Sequence, residues 1–440
     1  MTDKNQVENW PSETKGWYVT FVFLFAFIFS LIDRQILNLL VIPIQNDLLL
    51  SDTQISLLQG FAFVITYVLL SVPIGRLVDK FNRINIMILG VITWSMTTFT
   101  CGLSRNFYEL LFARMGVGAG EAALSPAAWS VLADYFRPER LSFPISIYLM
   151  GPYLGAGLAM ILGAYVLDLT SGRDEIYLPL IGSLAPWQLT FIIVSLPGII
   201  ITGLLFSVKE PKRKNTASKT EIIPNWSGVI SFMLSNKRIY TSLHIATPFL
   251  VIMLYSLQAW SPTILVRVYD WELSDAGRVY GLIALFFGSS GVICGPFISQ
   301  FLKNLSFSSS GLKVCVLGVS LAGIAISLIP YQNDSFYALV CIAVASFCIP
   351  LPLALVTTIM QEVTPNSMRG VVNGMYVVST NVIGLAIGPF LVAFGTDYIF
   401  NDPKLIGYSI GLVAMIVAPI GAILFCIGIK EYKEKYEKFN

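Results

Sequence analysis

Apolar runs long enough to cross a bilayer recur twelve times along this chain. A membrane-crossing helix needs about 20 apolar residues. Such stretches fall near 17–40, 55–75, 84–103, 108–133, 142–167 and 187–208, then near 242–265, 279–300, 312–330, 336–360, 370–394 and 406–430. The longest polar interval, Lys209 to Tyr240, separates the two groups and carries the basic run Lys212, Arg213, Lys214. The pattern predicts an all-α integral membrane protein with twelve transmembrane helices. Its expected parts are a six-helix bundle over 1–208, a cytoplasmic linker over 209–240, and a second six-helix bundle with a basic tail over 241–440. The first span reads as a helix that stays in place, not a cleaved signal peptide. It is too long, lacks a basic start with a small-residue cleavage site, and contains Asp33 and Arg34.

Composition strengthens this picture. Of the 440 residues, 55% are hydrophobic and 12% charged, and the mean hydropathy is +0.73. A soluble domain carries roughly 25% charged residues, so the solvent of this chain is largely lipid. Lys and Arg fix its expected orientation, because basic residues collect in cytoplasmic loops. With the N-terminus inside, 21 of the 28 lie on the cytoplasmic side, among them Lys4, Lys15, Arg140, Lys219, Lys303 and Lys438. Only Arg105, Arg173, Arg267, Arg278 and Lys404 fall opposite. Both termini are then cytoplasmic, as an even number of spans requires. Topology thus accounts for the basic residues, and no nucleic-acid partner is expected. Membrane lipids are, and the basic tail reads as a surface anchor. High Lys and Ile usage with short loops points to a bacterial inner membrane, and a monomer is expected.

The six cysteines stand singly in apolar spans, without metal-ligand spacing. Neither metal nor cofactor is expected. No H-E-x-x-H or G-x-S-x-G occurs and there is one histidine, His244, so a membrane-embedded enzyme finds no support. Nothing repeats as a channel filter loop.

The two groups of spans echo each other. After span 4 comes Asp134-Tyr-Phe-Arg137-Pro138-Glu-Arg140; after span 10 comes Glu362-Val-Thr-Pro365-Asn-Ser-Met-Arg369. Spans 5 and 11 each carry spaced glycines: Gly151, Gly155, Gly157 and Gly163 against Gly384, Gly388 and Gly395. Duplicated halves with a site between them near the midplane are the plan of a secondary transporter, which rocks the halves to alternate access.

The segment Gly75-Arg76-Leu-Val-Asp79-Lys80-Phe-Asn82-Arg83 resembles the loop-2/3 signature of the major facilitator superfamily, G-x-x-x-D-R/K-x-G-R/K. Asn82 replaces the second glycine, and asparagine also accepts positive φ. Three further stretches resemble the Spinster-like family of that superfamily. They are Asp33-Arg34-Gln-Ile-Leu; Ser51-Asp-Thr-Gln-Ile-Ser-Leu-Leu-Gln-Gly60-Phe-Ala-Phe; and Ala113-Arg114-Met-Gly116-Val-Gly118-Ala-Gly120-Glu121-Ala-Ala-Leu-Ser125-Pro126-Ala. The resemblance implies the major facilitator fold of two pseudo-symmetric bundles. It implies a cytoplasmic gate at Gly75, Arg76, Asp79, Lys80 and Arg83, with Asp79 able to face a helix N-terminus. Asp134, Arg137, Glu362 and Arg369 read as inter-helix latches of the same gate. Gly151-Pro152-Tyr-Leu-Gly155-Ala156 resembles the G-P-x-x-G-G element of superfamily antiporters, with Ala156 for the last glycine, and points toward exchange or export. Spinster-like relatives are associated with lysophospholipids and sphingosine-1-phosphate, so the resemblance implies a lipid-like cargo.

Charges inside the bilayer are the informative residues, since each costs several kcal/mol unless paired or hydrated. Four stand mid-span: Asp33 and Arg34 in span 1, Arg114 and Glu121 in span 4. At 1.5 Å per residue, Asp33 lies about 7 Å and Arg114 about 10 Å to the outer side of their span centres, so the two can meet. Glu121, seven residues on, shares a helix face with Arg114. Asp33 and Glu121 are the candidates to exchange protons, and Arg114 to bind an anionic group or compete for the carboxylates; a purely structural ion cluster is the other reading. Arg34 faces about 100° away from Asp33, and both a structural and a substrate role are open to it. The second half offers the polar neutral candidates Tyr255, Gln258, Thr357, Asn373 and Asn381.

Gly116, Gly118 and Gly120 superficially resemble a nucleotide-binding loop, but no strand precedes them, and small residues at this spacing serve close helix packing. Phe61, Phe63, Tyr67, Trp94, Trp129, Tyr148 and Tyr153 are open to pocket lining or packing. A cavity charged on one wall and apolar on the other suits an amphipathic anion. The expectation is a proton-coupled transporter of such a cargo. Its alternative keeps the fold and moves a small hydrophilic organic anion, a sugar acid or a drug-like compound.

Overall fold

The structure, a computed structural model, describes residues 10–137, 140–173, 175–179, 181–213, 226–305, 307, 309–365 and 368–435. Lys4, Pro138, Lys214, Lys219 and Lys438 lie outside the described residues, as do the side chains of Ser142 and Tyr153. The chain forms helices α1 (Glu13–Leu39), α2 (Asp52–Lys80) and α3 (Arg83–Cys101). Helix α4 has two segments, Phe107–Glu121 and Leu124–Tyr135, and so has α5, Ser142–Tyr148 and Gly151–Thr170. Helices α6 (Pro186–Ser207), α7 (Lys237–Tyr269), α8 (Leu273–Asn304), α9 (Ser310–Tyr331), α10 (Ser335–Val363), α11 (Arg369–Phe400) and α12 (Pro403–Lys435) follow. In lipid each backbone polar group must be satisfied within the chain, and helices do this segment by segment. The helices overrun the expected spans at most ends. α11, for example, continues to Phe400 and α2 to Lys80. Hydropathy marks only the hydrocarbon core, whereas the hydrogen-bond ladder continues through polar residues into the headgroup zone.

Prolines explain where helices break. A proline removes the N–H that would bond four residues back, and its ring crowds that carbonyl. Helical segments end at Tyr148, His244 and Cys348, each four residues before Pro152, Pro248 and Pro352. The break in α4 follows the same rule, since Pro126 lies four residues after Ala122.

The start of α1 and the end of α12 share one end of the bundle, here the near end; α1 finishes at the far end. The short helix Val41–Leu48 lies at the far end. A small hairpin, β1 (Ile176–Leu178) antiparallel to β2 (Gly182–Leu184), lies there too and fills a loop in which no strand was expected. At the near end a helix over Trp226–Ser235 occupies part of the expected linker.

The first six and last six helices meet along α1–α7, α2–α11 and α5–α8. The fit is tightest where backbones touch: a Cβ on Gly60 would lie 2.5 Å from the Leu385 carbonyl oxygen, and one on Gly157 would lie 2.8 Å from that of Gly281. These contacts crowd into the far half. At the near end Gly75 on α2 and Gly370 and Gly374 on α11 face open space. The bundle is therefore closed at the far end and gapes at the near end.

Candidate functional site

The far end is closed by polar contacts between the two sets of helices. Ser51 and Gln54 form a capping box, Ser51 Oγ accepting from Gln54 N at 3.2 Å and Gln54 Oε1 accepting from Ser51 N at 3.0 Å. This fixes the first turn of α2 and aims Asp52 at Arg267 of α7, whose fork reaches both carboxylate oxygens at 2.7 Å. Gln45 Oε1 accepts from the same guanidinium at 2.6 Å. Beside it, Asp397 of α11 accepts from Thr53 N at 2.7 Å and Thr53 Oγ1 at 2.6 Å, a carboxylate at a helix N-terminus. Arg278 of α8 pairs with Asp168 of α5.

Halfway down, a cavity of about 220 Å³ lies between the sets. Leu31, Val251, Leu254, Leu257, Leu353 and Pro152 give it apolar walls; Gln35, Tyr255, Gln258, Tyr376, Thr380 and Asn381 give it polar ones. Gln35 Nε2 donates to Gln258 Oε1 at 3.0 Å, joining α1 to α7 across the cavity. Gln35 and Tyr255 also line a narrow polar recess behind it, together with Arg34, Asn38 and Gln59. The polar candidates that the sequence offers in the second half divide here: Tyr255, Gln258 and Asn381 line the cavity, while Asn373 is not among its lining residues. Thr357 is exposed and bonds within its own helix.

The four intramembrane charges gather next to this recess. Arg34 is paired with Glu121, the two side chains being 11% and 2% exposed. Its guanidinium carbon sits 4.1 Å from the centroid of the Phe63 ring and 5.8 Å from that of Tyr67, a cation–π stack that holds the charge in a poorly hydrated setting. Glu121 is the last residue of the first α4 segment, so the helix break places it at mid-membrane. Arg114 is fully buried and turns to backbone: Nη1 donates to Asp33 O at 2.9 Å, Nη2 to Arg34 O at 3.0 Å and Nε to Leu58 O at 3.4 Å. It braces the α1 backbone under the paired residues, and the guanidinium nearest the cavity is that of Arg34. Asp33 is buried beside Thr98, and its Oδ1 is left unmet; the same holds for Glu121 Oε1, Arg34 Nε and Gln59 Oε1. A polar oxygen left unpaired in a buried setting is costly.

Glycines bring these helices together. A Cβ on Gly118 would lie 2.3 Å from Phe63 O, and one on Gly120 would lie 2.5 Å from Trp94 N, so the small residues of α4 serve packing. Among the aromatic candidates, Phe63 and Tyr67 stack by Arg34, and Tyr148 is buried against Phe27. Phe61 meets Phe390 edge-on, Trp94 is in the core and Trp129 is exposed. None of these six is a cavity-lining residue.

At the near end the expected gate residues sort into two separate networks. Arg83 is buried, bonding Asp134 at 2.5 Å, Glu210 at 2.6 Å and Ser130 Oγ at 2.9 Å. Glu210 also accepts from the N–H groups that open α3, Arg83 N at 3.1 Å and Ile84 N at 3.3 Å. Arg213 donates to Val78 O and Phe81 O at 2.7 Å, capping the end of α2. Gly75, Arg76, Asp79, Lys80 and Arg137 lie along this surface, the four charged side chains exposed. In the last six helices, Glu362 accepts from Tyr432 at 2.6 Å, while Arg369 donates to Thr364 O at 3.1 Å and Gln361 O at 2.6 Å. Among the described residues no hydrogen bond or ion pair joins these two networks, in keeping with the open near end.

Gln35, Asn38, Gln59, Thr98, Tyr376 and Thr380 are site residues that the charge pattern does not single out. A signal for them exists all the same: neutral polar side chains in apolar spans carry the same message as charges, more quietly. The six cysteines are free thiols, and the described residues hold no cluster of metal-binding side chains.

Twelve helices in two sets of six, closed at one end over a central cavity with buried charges, define a membrane transporter. The chain belongs to the Major Facilitator Superfamily, whose family model matches residues 23–389. Within it the chain is similar to proteins of Spinster type and to an MFS-type efflux pump of Mycolicibacterium smegmatis, the latter 24% identical over 424 residues, covering 95% of this chain and 94% of that protein. Protein spinster homolog 3 of Danio rerio is 24% identical over 452 residues, covering 96% of this chain and 86% of that protein. The sphingosine-1-phosphate transporter SPNS2 of Xenopus tropicalis is 23% identical over 439 residues, covering 94% and 82%. The fold matches the crystal structure of a bacterial homolog to the human lysosomal transporter Spinster, in an inward-facing and unoccupied conformation. The TM-score is 0.78 at 23% identity, covering 96% of this chain and 97% of that one. The chain is thus a transporter and not an enzyme.

Proposed function

We propose that the protein is a proton-coupled transporter that moves an amphipathic, lipid-like organic anion of the lysophospholipid or sphingolipid-phosphate class by alternating access. The observation that carries this reading is the cavity itself, apolar on some walls and polar on others, leading through Gln35 and Tyr255 to the Arg34–Glu121 pair. A fatty tail suits the former and an anionic head the latter. The sphingosine-1-phosphate cargo in the name of the Xenopus relative supports the same class.

In this scheme Arg34 cannot serve Glu121 and a cargo anion at once. When the anion takes the guanidinium, Glu121 is left as a buried carboxylate without its counter-ion and takes up a proton. Asp33, with an unmet oxygen in the same cluster, is the second proton carrier. Arg114 fixes the α1 backbone beneath both. Rocking about the α1–α7, α2–α11 and α5–α8 contacts exposes the cluster first to one side and then to the other. The near-end residues around Asp79 and Arg83 act as the gate when that end closes. On this reading residues 1–208 and 241–440 are the rocking halves and 209–240 the linker. The near end is cytoplasmic, and the protein works as a monomer in a bacterial inner membrane.

The test is reconstitution into liposomes holding a pH dye, with lysophospholipid or a hydrophilic organic anion added, and with empty liposomes and Asp33→Asn alongside. A lysolipid-dependent proton signal that disappears in Asp33→Asn supports cargo and coupling together, and its sign separates exchange from co-transport. A signal with the hydrophilic anion alone overturns the cargo. Labelled-cargo flux with no proton signal, unchanged in Asp33→Asn, overturns the coupling.

A further inference from the structure

The helix Trp226–Ser235 carries no charged residue and has three distinct faces. Successive residues turn by 100°. Val229 and Phe232 form one face turned to the protein, Val229 buried and the Phe232 ring 5.9 Å from that of Tyr240 in α7. Trp226, Ile230 and Leu234 form a second face, 63%, 45% and 65% exposed. Ser227, Ser231 and Ser235 form the third, turned away from the core. One side thus fits protein, one lipid and one water. At 10 residues the helix is about 15 Å long, half of what a bilayer crossing needs. Asn236 alone separates it from α7, which holds it at the level where that helix enters the bilayer.

Cations surround its end. Lys237 and Arg238 follow directly and are exposed. Lys435 of α12 donates to Asn236 Oδ1 at 2.9 Å and pairs with Glu431, one turn back on the same face. Three cations, Lys237, Arg238 and Lys435, stand there against the carboxylate of Glu431. A short helix with an apolar stripe, a serine face and cations at its end has the parts needed to lie in an interface, with the cations beside it drawn to an anionic surface.

We propose that Trp226–Ser235 is an interfacial anchor. Trp226, Ile230 and Leu234 enter the acyl boundary of the near leaflet, and Lys237 and Arg238 meet anionic phospholipid headgroups beside it. This surface is independent of the cargo site and of what the transporter moves.

The experiment uses the full chain in nanodiscs and takes the fluorescence difference between wild type and Trp226→Phe, which isolates Trp226 from the other seven tryptophans. Blue-shifted emission is expected, quenched by phospholipids brominated near the headgroup end of their chains. Brominated phosphatidylglycerol should quench more than brominated phosphatidylcholine at equal bulk fraction, and high salt should remove the excess. Emission at a water-exposed wavelength, quenched by acrylamide and not by bromolipid, overturns the anchor. Protection from both quenchers also overturns it, in favour of a protein contact. Equal quenching by the two lipids at low salt overturns the anionic assignment.

Discussion

Arg267 grips Asp52 across the two sets of helices with both arms of its guanidinium, each N–O distance 2.7 Å. The Asp52 side chain is 2% exposed and that of Arg267 13%, so losing one partner strands the other with little water to replace it. A charge-assisted bond of this kind is worth about 2 kcal/mol, or roughly thirtyfold in an equilibrium. Asp52→Asn should shift the population by that order away from the far-closed form. Spin labels at Lys80 and Gly370, on the near ends of α2 and α11, should then report shorter distances. The exchange Asp52→Arg with Arg267→Asp should restore the original distribution. Unchanged distances in Asp52→Asn would mean that this contact does not hold the far end shut.

Glu121→Gln keeps the size of the side chain and removes its charge. Arg34 then loses its counter-ion, and the proposed coupling scheme loses one of its two proton carriers. Transport rates measured across a pH series should flatten relative to wild type. A variant with the wild-type pH profile would remove Glu121 from the coupling scheme.

Arg34→Lys keeps the charge but gives up the planar group that stacks on Phe63 at 4.1 Å. Arginine and lysine are not interchangeable at a stacked site. Cargo binding, followed by the change in intrinsic fluorescence, should weaken by about tenfold, equivalent to about 1.4 kcal/mol. Equal affinity would show that a point charge is enough.

Gly118 and Gly75 make a matched pair. A Cβ at Gly118 would meet the Phe63 carbonyl oxygen at 2.3 Å and Thr66 Oγ1 at 2.6 Å; at Gly75 it meets nothing. Gly118→Ala should cost about 1–3 kcal/mol through overpacking, visible as a lower melting temperature. Gly75→Ala should melt no lower than wild type, because alanine is the better helix former. Equal melting temperatures in the two variants would contradict the tight α2–α4 packing.

Arg83→Ala leaves Asp134 and Glu210 facing a lost cation at a site where the Arg83 and Asp134 side chains are 1% and 5% exposed. Breaking a buried ion network by removing one member costs about 3–5 kcal/mol, so a marked fall in thermal stability is expected. A melting temperature equal to wild type would show that water or Lys209 and its neighbours compensate.

The fold was legible because hydropathy in a membrane protein is coarse and strong. Twelve apolar runs, the polar interval and the asymmetry of Lys and Arg are averages over many residues. The buried charge cluster of the candidate site was legible by residue identity: Asp33, Arg34, Arg114 and Glu121 announce themselves by charge in an apolar setting. Partner choice was not. A 100° step separates Asp33 from Arg34, and which of them meets α4 depends on how α1 is rotated, a property no linear pattern encodes. Arg114 accordingly braces backbone carbonyls while Arg34 takes the carboxylate. Gln35, Asn38 and Gln59 escaped because a neutral amide barely dents a hydropathy profile. The hairpin at Ile176–Leu184 escaped because three-residue strands leave too short an alternation to see. The Asp52–Arg267 grip joins residues more than two hundred positions apart and exists only once the two sets are docked.

The proline breaks at Tyr148, His244 and Cys348 fall in α5, α7 and α10, and all three helices contribute residues to the cavity. A chamber with jointed walls behaves unlike one with rigid walls. Each joint lets the near-end portion of its helix swing on a spared backbone bond while the far-end portion stays clasped. The chamber can thus change girth without loosening the seal above it. If the cargo is the lipid-like anion proposed above, its length becomes a matter of elasticity: a longer tail is accommodated by spreading the lower staves, so selection falls on head chemistry more than on chain length.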